Sequence, residues 1–380
     1  MEKICVLGLG YVGLTLSIHA AKNGYEVHGV EILESTRNSI KSRKAPFHEP
    51  GIDQLLETYL DKNLFVHEEV PPEIEFSVFI ISVGTPLVGD YITAPNMKIL
   101  KKCIADVANV VRQDTLIVLR STVPVGTTRQ VEEEIISKSR VKSINIAFCP
   151  ERTAEGNALI ELKELPQVIS GNSNSAIERS KEFFQPLVNE VVVASSVEEA
   201  EITKLFNNVY RDSIFALANT FSYIAQHFGI DGVKAIQNAN YNYPRSNIPI
   251  PGFVAGPCLE KDAYILTSNL DDSPLKENIL TARKMNEKLE VDLAKWIEAF
   301  IENQKIKRVL VSGLAFKGKP ETNDLRGSSS IKILKKLEKF NDKIICHDFM
   351  NSSQELGKAI NFQCLNPNFY LNNYGGFFDL

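Results

Sequence analysis

The sequence predicts an α/β protein built on parallel sheets, and three patterns predict it. A glycine-rich turn joins the first strand to the first helix. Short apolar runs then alternate with helical segments through the first half of the 380 residues. After a largely helical stretch over 197–303, strand and helix alternate again from 304 onward.

Lys3 to Gly8 is a short apolar strand running directly into GLGYVG, with Gly8, Gly10 and Gly13 in the G-x-G-x-x-G spacing. Leu14 to Asn23 reads as a helix and Glu26 to Glu31 as the second strand. Gly8 permits the tight turn, Gly10 lets backbone approach a pyrophosphate, and Gly13 lets the helix pack close to the strand. The pyrophosphate then lies at the helix N-terminus, where free N–H groups and the helix dipole favour an anion. Glu31 ends the second strand about twenty residues on, where an acid bonds the adenosine ribose hydroxyls. An acid there repels a 2′-phosphate, so NAD is favoured over NADP. A glycine-rich packing turn would explain the glycines but not Glu31. The first domain, 1–196, is therefore read as a Rossmann-type NAD-binding domain.

The alternation continues with strands over Phe76 to Val83, Thr115 to Leu119 and Ile144 to Phe148, and a helix over Asn96 to Arg112. Strands separated by helices imply right-handed crossovers and a parallel sheet, with ligands beyond the carboxyl ends of the strands. Three strand ends carry polar turns there: SVGTP at 82–86, STVPVGTT at 121–128 and CPERTAEG at 149–156. Each alone is an ordinary turn; together, on the cofactor edge, they favour a site.

From Val197 the pattern changes. Glu198 to Gln226 has helical apolar spacing without proline or glycine, and reads as a long connecting helix. Lys204 and Asn208 stand on one face of it, a pair that a solvated face would also explain. A helix over Gly232 to Asn240 leads into NYNYPRSNIPIPGFVAGPC, an ordered loop of the functional kind. Cys258 ends that loop, and Asp262 falls one turn later if a helix starts there. Pro274 to Asn303 is a second long helix, closing a helical central domain over 197–303.

Lys307 to Gly313 is again a strand, followed by LAFKGKPETNDLRGSSS, a helix from about Ile331 and a strand over Asp342 to His347. Lys317 and Arg326, beyond the strand's end, suit a phosphate-bearing ligand. After Phe349 the chain is asparagine-rich, with too little strand pattern to complete a doubly wound sheet. The third domain, 304–380, reads as Rossmann-like and shortened.

Composition sets the outer limits. A formal net charge of −5 leaves no basic excess to hold a nucleic acid. The longest apolar runs are strand-sized, so no transmembrane helix or membrane partner is expected. The first residues lack a signal pattern, and a cytoplasmic location is expected. The six cysteines are scattered without a C-x-x-C, which suggests neither a disulfide framework nor a metal site. A small core residue is the ordinary role for such a cysteine. That fits Cys5 and Cys103, and it leaves Cys258 open.

Seven motifs in order, GLGYVGL, SVGTP, STVPVGTT, CPER, EITKLFNN, GPCLEKD and GLAFKGKPETNDLR, resemble the UDP-glucose/GDP-mannose dehydrogenase family from Met1 to about Phe349. The resemblance implies NAD-dependent oxidation of a sugar C6 alcohol to a carboxylate, with two NAD and one water per UDP-sugar, for surface polysaccharide precursors. It makes Cys258 the nucleophile, Lys204 and Asn208 the oxyanion partners, and Asp262 a holder of water or a base with Lys204. Thr122 and Glu151 match residues that order the water and move protons. Gly8, Gly10, Tyr11, Val12, Gly13, Glu31, Val83, Thr85, Pro86, Ser121 and Thr122 match the cofactor site. Glu151, Arg152, Lys204, Asn208, Arg245, Phe253, Gly256, Lys317 and Arg326 match the substrate site, with Arg245 reaching a neighbouring subunit of a homodimer or higher oligomer.

The sequence departs from the family pattern at Ala255-Gly256-Pro257-Cys258 for GG-x-C, at Glu260 for a proline, at Glu31 for an aspartate, and in its short C-terminal domain. PRSNI, followed by PIPG, resembles the N-acetylhexosamine branch, which puts a UDP-N-acetylmannosamine-type substrate first and leaves UDP-glucose and GDP-mannose open. A single-hydride hydroxyacid dehydrogenase would share the fold but has no use for Cys258. A non-catalytic sugar-nucleotide binder would need no full set of Cys258, Lys204, Asn208 and Asp262.

Overall fold

The computed structural model describes residues 1–87 and 95–369. Residues 370–380, the end of the expected third domain, lie outside the described residues. The chain divides into two compact units, one of residues 1–207 with 264–269, the other of residues 208–263 with 270–380.

In the first unit, β1 (Lys3–Leu7), α1 (Tyr11–Lys22), β2 (Glu26–Val30), α2 (Glu34–Lys41), α3 (Ile52–Tyr59) and β3 (Leu64–His67) form one half of a doubly wound sheet. The other half is β4 (Val78–Ile81), α4 (Lys98–Val110), β5 (Leu116–Leu119), α5 (Thr127–Lys138) and β6 (Asn145–Phe148). All six strands are parallel, in the order β3-β2-β1-β4-β5-β6. Strand order reverses between β1 and β4, which is where such sheets bind a dinucleotide. The central strands read as continuous Val, Ile, Leu and Phe because both faces are covered. Ile4, Val6, Ile80 and Val118 join the core beneath α1 and α3, while Leu7, Phe79, Ile81 and Leu119 join the core beneath α4 and α5.

The unit continues through α6 (Ala158–Glu164), β7 (Gln167–Ile169), α7 (Asn174–Phe184) and β8 (Val191–Val193), with β7 and β8 forming a small parallel sheet. α8 (Val197–His227) is the expected long helix. The sequence pattern did not reveal β3, β7 or β8. These are three- or four-residue strands, and β3 and β8 lie mostly partly buried or exposed, so no apolar run marks them.

The second unit holds most of α8, then α9 (Gly232–Asn240), the start of α10 (Leu259–Thr267) and α11 (Pro274–Asn303). Ser273 caps α11 by accepting from the Lys276 N–H, and Pro274 fills its first position. A parallel sheet in the order β11-β10-β9 follows, from β9 (Val309–Ser312), α12 (Ser329–Lys336), β10 (Ile344–His347), α13 (Ser353–Ala359) and β11 (Gln363–Leu365). Its core is Leu314, Ile331, Leu334, Ile344 and Leu356, with Ala294 and Ile301 of α11 packed in. The tail past Phe349 thus carries a helix and a third strand. β11 is three residues long and at best half-buried, too brief to leave an alternation in the sequence.

Candidate active site

The end of β1 forms the dinucleotide turn. Gly8 turns at φ +90°, and a Cβ on Gly13 would lie 1.8 Å from the Gly8 carbonyl oxygen and 2.5 Å from Ser82 Oγ. Any side chain at Gly13 would force α1 away from the β1 and β4 ends. α1 begins at Tyr11, ahead of the expected Leu14, because the glycine turn itself supplies its first turn. Its start has no side-chain cap and no acid in the first turn, so its N–H groups and dipole are open to an anion. Around Gly10 there is free space. Glu31 is buried at the end of β2, and its carboxylate accepts from Leu9 N–H at 3.0 Å and Leu33 N–H at 2.9 Å. These residues fit NAD, with Glu31 fixed beside the turn.

The other cofactor-side residues tie strand ends together. Val83 packs against Gly8, and Thr85 Oγ1 donates to the Thr122 carbonyl at 2.6 Å. Ser121 Oγ donates to the Ile81 carbonyl at 3.4 Å. Val12 lies partly buried in the first turn of α1, and Pro86 is exposed. Tyr11 turns its hydroxyl to Glu49 and accepts from Gly156 N–H at 2.8 Å, joining the glycine turn to the CPERTAEG loop. Burial, then the Glu49 contact, pushes the Tyr11 phenol well above its ordinary pKa. Glu49, unremarkable in the sequence, also accepts from Gly156 N–H at 2.8 Å.

Glu151 is buried and meets Arg120, a residue the motif reading passed over, at 2.5 Å. Burial alone would raise its pKa. The Arg120 guanidinium, the Thr153 N–H and the Lys204 ammonium outweigh it and hold the carboxyl below the ordinary range. Arg120 also donates to the Cys149 carbonyl and to Gln167, both at 3.0 Å. The unit therefore brings Glu151, Arg120 and Lys204 into one electrostatic group. The neighbouring Arg152 instead bonds the Pro166 carbonyl. Further along α8, Glu201 accepts from the Gly126 and Thr128 N–H groups and the Thr128 hydroxyl, fixing the STVPVGTT turn at the start of α5.

The second unit carries Cys258. Of the six cysteines, only Cys258 is exposed. Burial pushes the Cys103, Cys149 and Cys346 thiols up to about 12, which makes them inert as nucleophiles at neutral pH. Cys258 sits in the turn before α10, and its carbonyl accepts from the Asp262 N–H at 3.0 Å, closing the helix's first turn. Asn208 Nδ2 donates to Asp262 Oδ2 at 2.6 Å, with both side chains buried. Asp262 Oδ1 accepts no hydrogen bond among the described residues and faces Lys261 Nζ at 3.5 Å.

Gly256 explains how the turn is shaped. It adopts φ +101°, and a Cβ there would sit 2.7 Å from the Phe316 ring. Its N–H donates to the Gly327 carbonyl at 2.9 Å. The loop after β9 therefore lies directly on the cysteine turn, and this brings Lys317 and Arg326 into the same neighbourhood. Lys317 Nζ lies 5.4 Å above the Phe316 ring, while Arg326 is paired with Asp324 at 2.6 Å. Phe253 is exposed in a groove of about 440 Å³ with Tyr223, Gln226 and Trp296. Arg245 is exposed and stacks on Tyr243 at 4.5 Å.

Among the described residues no group of His, Cys, Asp and Glu could hold a metal ion, and no helix is long and apolar enough to cross a membrane.

Residues 2–188 match the NAD binding domain of the UDP-glucose/GDP-mannose dehydrogenase family, and residues 198–288 match its central domain. The UDP-N-acetyl-D-mannosamine dehydrogenase of Pyrococcus horikoshii is 35% identical over 342 residues, covering 87% of this chain and 80% of that one. The solved structure of the UDP-D-ManNAc dehydrogenase from the same organism aligns with a TM-score of 0.83 at 32% identity, over 91% of this chain and 83% of that one. The UDP-N-acetyl-mannosamine dehydrogenase of Staphylococcus aureus aligns with a TM-score of 0.81 at 26% identity, over 97% and 85% of the two chains.

Proposed function

We propose that this chain, which belongs to the UDP-glucose/GDP-mannose dehydrogenase family, oxidises the C6 alcohol of a UDP-N-acetylhexosamine to the uronate, with UDP-N-acetyl-D-mannosamine as its substrate. It is an NAD-dependent nucleotide-sugar dehydrogenase. The relatives' names and the PRSNI stretch support the choice of sugar.

One observation carries the chemistry: the single exposed cysteine precedes a helix whose first turn carries Asp262, bonded to Asn208. An alcohol carbon can give up a hydride directly, but an aldehyde cannot until a nucleophile adds. The Cys258 thiolate adds to the aldehyde carbon, forming a C–S bond as the carbonyl pair moves to oxygen and takes a proton. Loss of the second hydride together with the hydroxyl proton leaves a thioester; water attacks, the C–S bond breaks, and the thiolate returns with the carboxylate as the water gives up two protons. Lys204 and Asn208 steady the negative oxygen. Asp262 holds the water or acts with Lys204 as base, and Thr122 and Glu151 order the water and relay protons. When bound, NAD would supply the hydride acceptor, one molecule for each oxidation.

Residues 1–196 serve as the cofactor domain, 197–303 as the subunit contact and 304–380 as the sugar-nucleotide domain, with Lys317 and Arg326 toward the phosphates. A homodimer is supported by Phe206, Tyr210, Leu217, Phe221 and Ile224, which lie exposed at helical spacing along α8. Arg245, exposed beside Tyr243, is suited to a neighbouring subunit's sugar. Use of NAD and a UDP-sugar supports a cytoplasmic location. NAD reduction across UDP-N-acetylmannosamine, UDP-glucose and GDP-mannose tests the reading. The highest kcat/KM is expected for the first; preference for either of the others overturns the assigned sugar.

A further inference from the structure

A buried polar seam runs between α8 and α11, in the place where long helices usually pack apolar side chains. Asp212 and Asn219 of α8 and Arg283 and Asn286 of α11 are each at most 1% exposed. Arg283 Nη1 donates to Asp212 Oδ1 at 2.7 Å, and Asn286 Nδ2 donates to the same oxygen at 2.8 Å. Asn219 Nδ2 donates to Asn286 Oδ1 at 2.9 Å.

Both ends of this seam leave the helices and grip backbone. Asn219 brackets Gly252, accepting from its N–H at 2.8 Å and donating to its carbonyl at 3.0 Å. Arg283 Nη1 donates to the Leu259 carbonyl at 3.2 Å. Gly252 lies upstream of Cys258 and Leu259 directly follows it, so the network clamps the cysteine turn on both sides.

Stability alone does not account for the seam. A buried ion pair is often no better than well-packed apolar side chains. Arg283 Nη2 donates no hydrogen bond among the described residues and Nε only faces Glu287 Oε1 at 3.3 Å without a hydrogen bond, a looser satisfaction than a purely structural network would have. What the seam does provide is a second hold on the turn that contains Gly256, beside the bond from the Gly256 N–H to the Gly327 carbonyl.

We propose that Asp212, Asn219, Arg283 and Asn286 form a brace that positions the Cys258 thiol for its addition to the C6 aldehyde, with Asn219 and Arg283 as its positioning residues. This rests on Cys258 being the nucleophile. The first oxidation, alcohol to aldehyde, does not use the thiol; the second does. A brace for Cys258 therefore affects the two halves unequally, whereas a general loss of stability lowers both together.

The test compares Asn219→Ala, Arg283→Lys and Cys258→Ser in the full chain with UDP-N-acetyl-D-mannosamine, NAD and an aldehyde trap. In the brace variants, oxidation of the C6 aldehyde is expected to slow by about tenfold or more, with alcohol oxidation changed by less than about threefold and trapped aldehyde accumulating. Equal losses in both halves, or no loss in either, overturn the brace. Full second oxidation by Cys258→Ser overturns the nucleophile reading instead, and the brace with it. Hydrogen exchange of the amides over 253–259 reads the same contact without turnover. Faster exchange in Asn219→Ala than in the parent is expected; unchanged exchange contradicts the proposal, and Asn219→Ala keeps the test available if Arg283→Lys does not fold.

Discussion

Asn208 and Asp262, from two different helices, share a 2.6 Å hydrogen bond in the interior, one helical turn beyond Cys258. The amide is the only hydrogen-bond donor found on the buried carboxylate among the described residues, since Lys261 stands 3.5 Å from the other oxygen. Asn208→Ala leaves that carboxylate without its donor and, in the proposed mechanism, the developing oxyanion with one partner fewer. Its kcat is expected to fall about a hundredfold, the scale of one lost oxyanion donor. An unchanged kcat in single-turnover assays would remove Asn208 from the reaction.

Glu151 gives a pH prediction whose sign follows from its surroundings. Its folded pKa is depressed below the ordinary 4.5, so the ionised form is favoured at neutral pH, and the stability it contributes is lost as pH falls through the folded value. In Arg120→Met the guanidinium is gone and burial dominates, which raises the carboxyl pKa. The acid limb of the kcat profile should then move to higher pH, while Glu151→Gln lacks that limb. Superimposable profiles for parent and Arg120→Met would contradict the pairing.

At the cofactor turn, the 1.8 Å separation from the Gly8 oxygen leaves no room for a methyl group on Gly13. Gly13→Ala must shift α1 off the sheet, and NAD affinity, measured by calorimetry, is expected to weaken by about tenfold or more. Iodoacetamide labelling of Cys258 should remain as in the parent. Parent-like NAD affinity would show that the pyrophosphate does not lie on this turn.

Phe221 is 38% and Leu217 49% exposed on the apolar stripe of α8. Placing a carboxylate there, as Leu217→Asp with Phe221→Asp, would put charges into the proposed contact between copies. Sedimentation velocity is expected to show a dimer for the parent and a monomer for the double variant. A parent that sediments as a monomer, or a variant dimer of unchanged affinity, would move the subunit contact elsewhere.

The sequence carried most of this architecture, for identifiable reasons. The glycine spacing and Glu31 lie within one β-α-β unit, where local chemistry determines local shape. The helices over Gly232–Asn240 and Pro274–Asn303 begin and end where proposed because capping and proline are local signals. Cys258 and Asp262 are a helical turn apart, so their relation was legible once a helix began there. Arg120 and Arg283 were not, because their carboxylate partners lie 31 and 71 residues away and a lone arginine has no periodicity. The strands over Leu64–His67 and Gln363–Leu365 were hidden by being short and mostly half-exposed.

Thiol-dependent oxidation is tested most directly by the number of NAD reduced per UDP-N-acetyl-D-mannosamine consumed, measured to completion for the parent chain and for Cys258→Ser. Two NADH and a uronate are expected for the parent, and at most one NADH with released aldehyde for the variant. One NADH per sugar from the parent, or two from Cys258→Ser, would contradict thiol-dependent oxidation.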